Sequence, residues 1–444
     1  MVFRYPGRKW LPVSLLIGSV LVLVQCGCGR QSSLEPGARA DLVKAGSTLT
    51  PAEDLSDLPP PNVDRQMLER LESIGYTAAS QKAPQKKNVT VYDRQRAFAG
   101  LNLYTSWHAP EAELINMEGK VLHTWRYEFE RVWPDYPSPK IAKLDHANFW
   151  RRVRLLDNGD LLAVFEGLGL IRLDKNSNLK WAYDGKCHHD LDVTSEGYIY
   201  VLTRKARMIP RLNPVEPILE DFVTILDMAG NEIKKVSLLE CFESSYYAPV
   251  LTRMKRAGDV FHTNTVACFD GSLARVSPLF KKGNVLVSIL HLDTIAIVDL
   301  DRRTVLWALS GLWDAQHQPV LLKSGNMLIF DNLGREGKSR VIEFDPFTQE
   351  ILWVYAGEPS KELYTSGCGS CQRLPNGNTL ITESDFGRVL EVTPHHAIVW
   401  EYVNPHRLSD NEELIPKISE MIRLDASFPL DWLKPATDTG TSGE

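Results

Sequence analysis

Three histidines in this chain stand at positions where their side chains can act together. His189 and His317 each lie eight residues before the glycine of a hairpin phrase, at Gly197 and Gly325. His262, in Asp259-Val260-Phe261-His262-Thr263-Asn264-Thr265, heads a comparable unit with a longer insertion before its hairpin. His146 suits an earlier unit, and Gly369 takes the same offset in a later one, so the series of imidazoles is incomplete. Imidazoles gathered at one place can hold a metal, move a proton or attack as a nucleophile. A lone histidine is explained by a hydrogen bond to its neighbour; three at related positions are read as a cluster. Cys368-Gly369-Ser370-Cys371 is the other chemical motif. It has no second CxxC to complete a zinc site and no βαβ surroundings for a redox role, so a local disulfide between Cys368 and Cys371 is expected.

The elements that must position these side chains repeat. Asp157-Asn158-Gly159-Asp160, Lys323-Ser324-Gly325-Asn326 and Pro375-Asn376-Gly377-Asn378 each precede an apolar run, with looser copies at Ser195-Glu196-Gly197 and Lys282-Gly283-Asn284. Asn-Gly and Asp-Gly pairs favour tight hairpins because both residues tolerate positive φ. A second phrase ends in tryptophan, at Trp125, Trp181, Trp307, Trp353 and Trp400. Short strands and Gly turns repeated at this length predict an all-β, six-bladed β-propeller. One blade cannot bury both faces alone, and the repeated indole supplies apolar surface for stacking blade on blade. The innermost strands line the axis, so the histidines at their starts are expected to converge on one channel mouth.

The 444 residues suffice for one large β domain with appendages. Lys and Arg number 50 against 56 Asp and Glu, and no basic block argues for nucleic acid. Arg4, Arg8 and Lys9 precede an apolar run from Trp10 to Val24, the pattern of an export signal. Leu23-Val24-Gln25-Cys26 is similar to a lipoprotein box, which makes Cys26 the expected lipidated residue; Cys28 and an uncleaved anchor are the alternatives. All three readings set the domain outside the cytoplasm, in a periplasm or cell envelope, held to the membrane by its N-terminus. Residues 1–29 are thus read as signal or anchor, 30–91 as a flexible tether with one short helix near Met67–Ile74, 92–405 as the propeller, and 406–444 as a C-terminal helix over Asn411–Arg423 and a polar tail.

The run Asp259 to Thr265, the pair Gln316-His317, and Gly325-Asn326-Met327-Leu328-Ile329-Phe330-Asp331-Asn332 resemble the bacterial arylsulfotransferase family, as does Leu374-Pro375-Asn376-Gly377-Asn378-Thr379-Leu380. The resemblance spans roughly Tyr92 to Pro405. It implies a secreted six-bladed propeller that moves a sulfuryl group from a phenolic sulfate donor to a phenol acceptor, with no cofactor and no metal. It further implies that His317 is the transiently sulfated nucleophile, that His262 and His189 bind and polarise the sulfate, and that Asn264 and His188 contact substrate. Leu290 stands where the family carries an Arg, and Gln318 where an Asp is common. In a regular strand the neighbouring His291 turns to the opposite face. Two other classes remain open. One is a non-catalytic propeller that binds a ligand or protein through a degenerate site. The other is a quinone-dependent dehydrogenase, for which the sequence shows no matching carboxylate cluster.

Overall fold

The computed structural model describes residues 65–72, 77–136, 148–334, 336–358, 361–408 and 413–433. The segment Arg4–Cys28, with its Cys26, and His146 lie outside the described residues. Among the described residues, no helix is long and apolar enough to cross a membrane.

The Gly turns do what their sequence predicts. Gly159 and Gly325 sit at φ +85° and +91°, where only glycine is unstrained, and each closes the hairpin between the two inner strands of its blade. Among the described residues six blades result, each built on four antiparallel strands, beside two small two-stranded sheets. Blade 2 is Arg152–Leu155, Leu161–Phe165, Gly169–Leu173 and Leu179–Tyr183. Blade 3 begins at Cys187–Val193, blade 4 at Thr263–Cys268, blade 5 at His317–Leu321 and blade 6 at Ser370–Arg373. Successive first strands pack on one another and line the axis.

The tryptophans do more than fill space between blades. The Trp125 indole donates to the carbonyl of Gly159 in the next blade at 3.1 Å, and Trp181 reaches Met228 at 3.1 Å. Trp353 reaches Pro394 at 3.0 Å, and Trp400 closes the ring by reaching Met117 of blade 1 at 2.9 Å. Each of these outer strands therefore carries one large apolar plate and one donor that registers its blade against the following one.

Two expectations about the chain ends are corrected. The stretch expected to be a helix over Asn411–Arg423 instead contains the strand Ile418–Leu424. It is the innermost strand of blade 1, pairing with Leu101–Ser106, which pairs in turn with Glu111–Ile115 and Val121–Arg126. The propeller thus extends past Pro405, and its first blade is closed by the C-terminal part of the chain. The strand wins because Leu101–Ser106 would otherwise present an unpaired edge to the channel. At the other end, Asn88–Tyr92 adds a fifth strand to blade 6, so the propeller also begins earlier than residue 92. The helix expected near Met67 is present, as Arg65–Glu72.

Candidate active site

His317 is the first residue of its inner strand, His189 the third of its own, and His262 directly precedes Thr263–Cys268, so all three stand at the same end of their inner strands. The strands bulge there: pairing shifts register between Cys187 and Leu191 and between His317 and Val320. His189, His262 and Gln318 take left-handed φ of +54°, +52° and +43°. A bulge re-aims side chains at a strand end, and such strained backbone persists only where its surroundings hold it. The rings of His189 and His262 lie 4.8 Å apart at 73°.

His317 is the best-defined group of the cluster. It is buried, 5% exposed, and its Nδ1 faces two acceptors, Asn332 Oδ1 at 2.8 Å and the Ala315 carbonyl at 3.2 Å. The orientation of the Asn332 amide follows from its other end. Its Nδ2 donates to the carbonyls of Thr365 at 3.0 Å and Cys368 at 2.8 Å, so Oδ1 must face the histidine. The neutral ring therefore carries its proton on Nδ1 and its lone pair on Nε2. Burial, with the nearby charge of Arg151, lowers the His317 pKa to about 3, so the ring is neutral at physiological pH.

His262 is built differently. Its Nδ1 hydrogen-bonds the Asp259 carboxylate, and its backbone N–H donates to the same side chain at 3.1 Å. Burial raises the Asp259 carboxyl, but the His262 hydrogen bond outweighs it and holds the pKa at about 2. Asp259 is placed by the two-residue strand Gly258–Asp259, which pairs parallel to Ile218–Leu226 of blade 3. A carboxylate behind Nδ1 stabilises an imidazolium and leaves Nε2–H to act as an acid. Next to it, burial and the Asp259 charge push Asp221 up to about 7.

His291 belongs to this group, contrary to the strand-face expectation. The strand Asn284–Ile289 ends before it, and Leu290–Leu292 form a 3₁₀ turn, so alternation no longer applies. The His291 ring lies 5.0 Å from His262, and its Nδ1 donates to the Asp259 carbonyl at 3.0 Å.

His189 and His188 are both about 1% exposed, with Nδ1 atoms 2.9 Å apart. Glu166 takes the His189 backbone N–H at 2.8 Å and lies 3.5 Å from its Nδ1. Burial first, then neighbouring cationic groups, drives both imidazoles well below the usual histidine range.

The cations near these imidazoles lie elsewhere than residue 290, which is Leu. Arg151 lies 3.7 Å from Glu166, with its guanidinium 5.3 Å above the Trp107 ring, and its charge acts on both His317 and His189. Arg204 approaches Glu166 from blade 3 at 3.9 Å. The signal for Arg151 was in plain view. It lies eight residues before Gly159, the same offset that located His189 and His317.

Other expected site residues have structural partners. Asn264 Nδ2 donates to the Gln316 carbonyl at 2.8 Å, tying blade 4 to the residue before His317. Gln318 is not the orienting group for His317. Its side chain bonds Glu420 of the closing strand and accepts from the Cys371 N–H at 3.2 Å. Cys368 and Cys371 are free thiols, against the expected disulfide. Cys368 packs with Trp107 and Phe149, whereas Cys371 enters the core between blades 5 and 6, so the pair serves two separate clusters. Two sets of donor atoms here, Glu166, His188 and His189, and Asp259, His262 and His291, each lie within 4.8 Å of one another and are close enough to hold a metal.

Fold and site together define a β-propeller whose axial channel opens on neutral and carboxylate-backed imidazoles beside buried arginines. A profile of the arylsulfotransferase (ASST) family matches residues 152–405, and the chain belongs to that family. No curated protein matches it. Among solved structures, similar chains include a protein of unknown function from Bacteroides caccae, with 11% identity and TM-score 0.46, covering 73% of this chain and 98% of that one. The WD40 propeller domain of Doa1 shares 12% identity at TM-score 0.41, covering 79% and 96%. Virginiamycin B lyase from Staphylococcus aureus shares 9% at TM-score 0.35, covering 57% and 69%. At these scores the likenesses carry no argument.

Proposed function

We propose that this arylsulfotransferase-family propeller transfers a sulfuryl group between phenols through a sulfated His317. The observation that carries the reading is the His317 tautomer. Asn332 holds the proton on Nδ1, and burial keeps the ring neutral, so the Nε2 lone pair is available to attack. In the first half-reaction Nε2 bonds to sulfur and the bond from sulfur to the phenolic oxygen breaks. The electron pair leaves with that oxygen, which takes a proton from His262 Nε2; Asp259 stabilises the imidazolium beforehand. Arg151 and the His189 edge of the channel face the sulfuryl oxygens, where cationic donors stabilise the charge that builds up. In the second half-reaction an acceptor phenol returns its proton to His262 and takes the sulfuryl group from His317. One site serves both halves, which gives ping-pong kinetics. Leu290 at the family's Arg position favours the rival reading of a binding propeller; Arg151 supplies the missing charge from another blade.

The test is direct. An aryl sulfate is mixed with the protein without acceptor, and the protein is examined by intact mass. The expected result is one added sulfuryl group, absent from His317→Ala, with release of phenol accelerated by added phenol. A folded wild type that neither releases phenol nor gains mass from a panel of aryl sulfates sinks the proposal. The same reading sets the domain outside the cytoplasm on a membrane tether through Cys26. Lipid labelling that persists in Cys26→Ser refutes lipidation at that residue.

A further inference from the structure

The imidazoles at the channel mouth are covered from both directions. His188, His189, Arg204 and His317 are all buried. Deeper in the channel, side chains cross the axis. Arg152 of blade 2 reaches Asp190 of blade 3 at 3.0 Å and Glu420 of blade 1 at 2.7 Å, and Gln318 of blade 5 bonds the same Glu420. Parting a buried, paired network of this kind to admit a ligand is costly. On the mouth side, Trp107 stacks on Phe149 with centroids 4.2 Å apart, and the Arg151 guanidinium lies against the Trp107 ring. A ligand therefore reaches His317 only when something at the mouth moves.

Two stretches of the N-terminal part of the chain lie on that side. Blade 3 is taller than its neighbours: Ile199–Arg207 and Ile218–Leu226 have nine residues each, where the second and third strands of the other blades have five or six. Pairing of Ile199–Arg207 with its inner neighbour ends at Thr203, so the edge beyond it has no strand to cover it. The helix Arg65–Glu72 takes that place. Glu72 Oε1 accepts the Ala206 N–H at 3.1 Å, and the Glu72 carbonyl accepts Arg204 Nη2 at 3.2 Å. Arg204 also approaches Glu166, which holds the His189 N–H, and this links the helix end to His189. Ala78 is fixed on the other side of the mouth. Its carbonyl accepts the Lys417 N–H at 3.0 Å, and its side chain packs on the cluster of Trp107, Phe149 and Cys368. Gln81–Lys82 then pairs with Leu414–Ile415. Thr77, Ala78 and Ala79 form one wall of a cleft of about 610 Å³ beside Trp107 and Phe129, which gives them room to move.

We propose that Arg65–Glu72 and residues 77–80 form a displaceable strap over the channel mouth, and that ligands enter when Glu72 lets go of blade 3. The helix is lightly held. Leu68 and Leu71 are only half-buried, Met67 is exposed, and Glu72 fixes the helix end through two hydrogen bonds. Segments with few buried apolar contacts open at the lowest cost. Trp107 is anchored more firmly: its N–H donates to the Lys417 carbonyl at 2.9 Å, and its indole donates to Ser419 of the inner strand of blade 1. That a phenolic ester is what enters rests on the sulfotransfer reading; the strap does not.

The experiment reads opening through Cys368, a buried thiol in the cluster that Ala78 covers, with Cys371, buried between blades 5 and 6, as the internal control. The full chain is treated with iodoacetamide, and alkylation of each thiol is followed by peptide mass. Glu72→Ala leaves the Ala206 N–H without its acceptor. It is expected to speed alkylation of Cys368 by about 10-fold and to leave Cys371 unchanged, while Glu72→Gln, which keeps an acceptor oxygen, stays near wild type. Phenol release from an aryl sulfate is measured alongside. Its kcat/KM is expected to rise in Glu72→Ala by the same factor, because a larger fraction of the protein is open. Unchanged alkylation of Cys368 in folded Glu72→Ala, or equal acceleration at Cys371, overturns the strap. Faster alkylation with no rise in kcat/KM overturns its control of ligand entry. Absence of phenol release from wild type and variants alike counts against the sulfotransfer reading, and the alkylation rates then decide the strap. Should Glu72→Ala not fold, as judged by circular dichroism, Leu71→Ala, which trims a half-buried side chain of the helix, decides by the same criteria.

Discussion

Replacing Arg151 by methionine separates two effects that the structure ties to one side chain. Its guanidinium is held by Glu166 at 3.7 Å and by the Trp107 face at 5.3 Å, and its charge is one cause of the depressed His317 pKa of about 3. Removing the charge makes His317 more basic and, taken alone, a better nucleophile. On the proposed mechanism it also removes a cation from beside the sulfuryl oxygens. Loss of one preorganised donor to a developing charge costs about 100- to 1,000-fold in rate, or about 2.7–4 kcal/mol. The gain from a more basic nucleophile is smaller, because reactivity rises less steeply than basicity. Arg151→Met is therefore expected to lower kcat/KM for phenol release by about 100-fold or more, while the acid limb attributed to His317 moves upward from about pH 3. Arg151→Lys keeps the charge but not the planar fork, and falls between the two. The assay is the pH dependence of kcat/KM with a chromogenic aryl sulfate, on variants shown to be folded by their urea midpoints. A folded Arg151→Met enzyme with wild-type kcat/KM would refute the role of Arg151. A large rate loss with no movement of the acid limb would refute its electrostatic link to His317.

Two further predictions concern stability. The folded pKa of His317 lies below its unfolded value of about 6.5, so the unfolded chain binds the proton first and stability rises with pH between about 3 and 6.5. In that window His317 contributes a slope of roughly 1.4 kcal/mol per pH unit, and urea unfolding of His317→Gln should show a slope shallower by about that amount; parallel slopes would contradict it. Glu420 receives Arg152 at 2.7 Å and Arg154 at 2.9 Å in the buried channel wall, and Glu420→Gln leaves the two guanidiniums to Asp190, with the charge of Asp192 also acting on Arg154. A loss of roughly 3–5 kcal/mol is expected, and an unchanged urea midpoint would show that the pair is dispensable.

What the sequence disclosed was what short stretches decide for themselves. Asn158-Gly159 and Ser324-Gly325 fix hairpins because a positive φ is a local demand, and the strand-end tryptophans mark blade edges because each needs a neighbour to cover it. Readings that required a partner elsewhere in the chain failed. Ile415, Ile418, Met421 and Ile422 have helical spacing, yet residues 418–424 form a strand because Leu101–Ser106, some three hundred residues earlier, lacks an inner partner. Strand alternation puts His291 on the opposite face, but it does not reach two residues past Ile289, where a 3₁₀ turn has begun. The spacing of the CxxC pair suggested a bridge, but burial in two different clusters keeps Cys368 and Cys371 apart in role.

The candidate site shows the same division more sharply. The offset of eight residues before the hairpin glycine picks out a place on the blade, not a residue type. The histidines at that offset are His189 and His317, and Arg151 occupies the same place in blade 2. Asn332 could not be found in this way. It reaches His317 from the end of the second strand of the same blade, and its orientation is set by carbonyls of Thr365 and Cys368 on the approach to blade 6. The tautomer on which the proposed nucleophilic attack depends is therefore decided between blades. On that proposal, a substitution at the blade 5 to blade 6 junction is expected to impair turnover without touching His317, His262 or Arg151. Asn264, which joins blade 4 to Gln316, extends that dependence to the other side of His317.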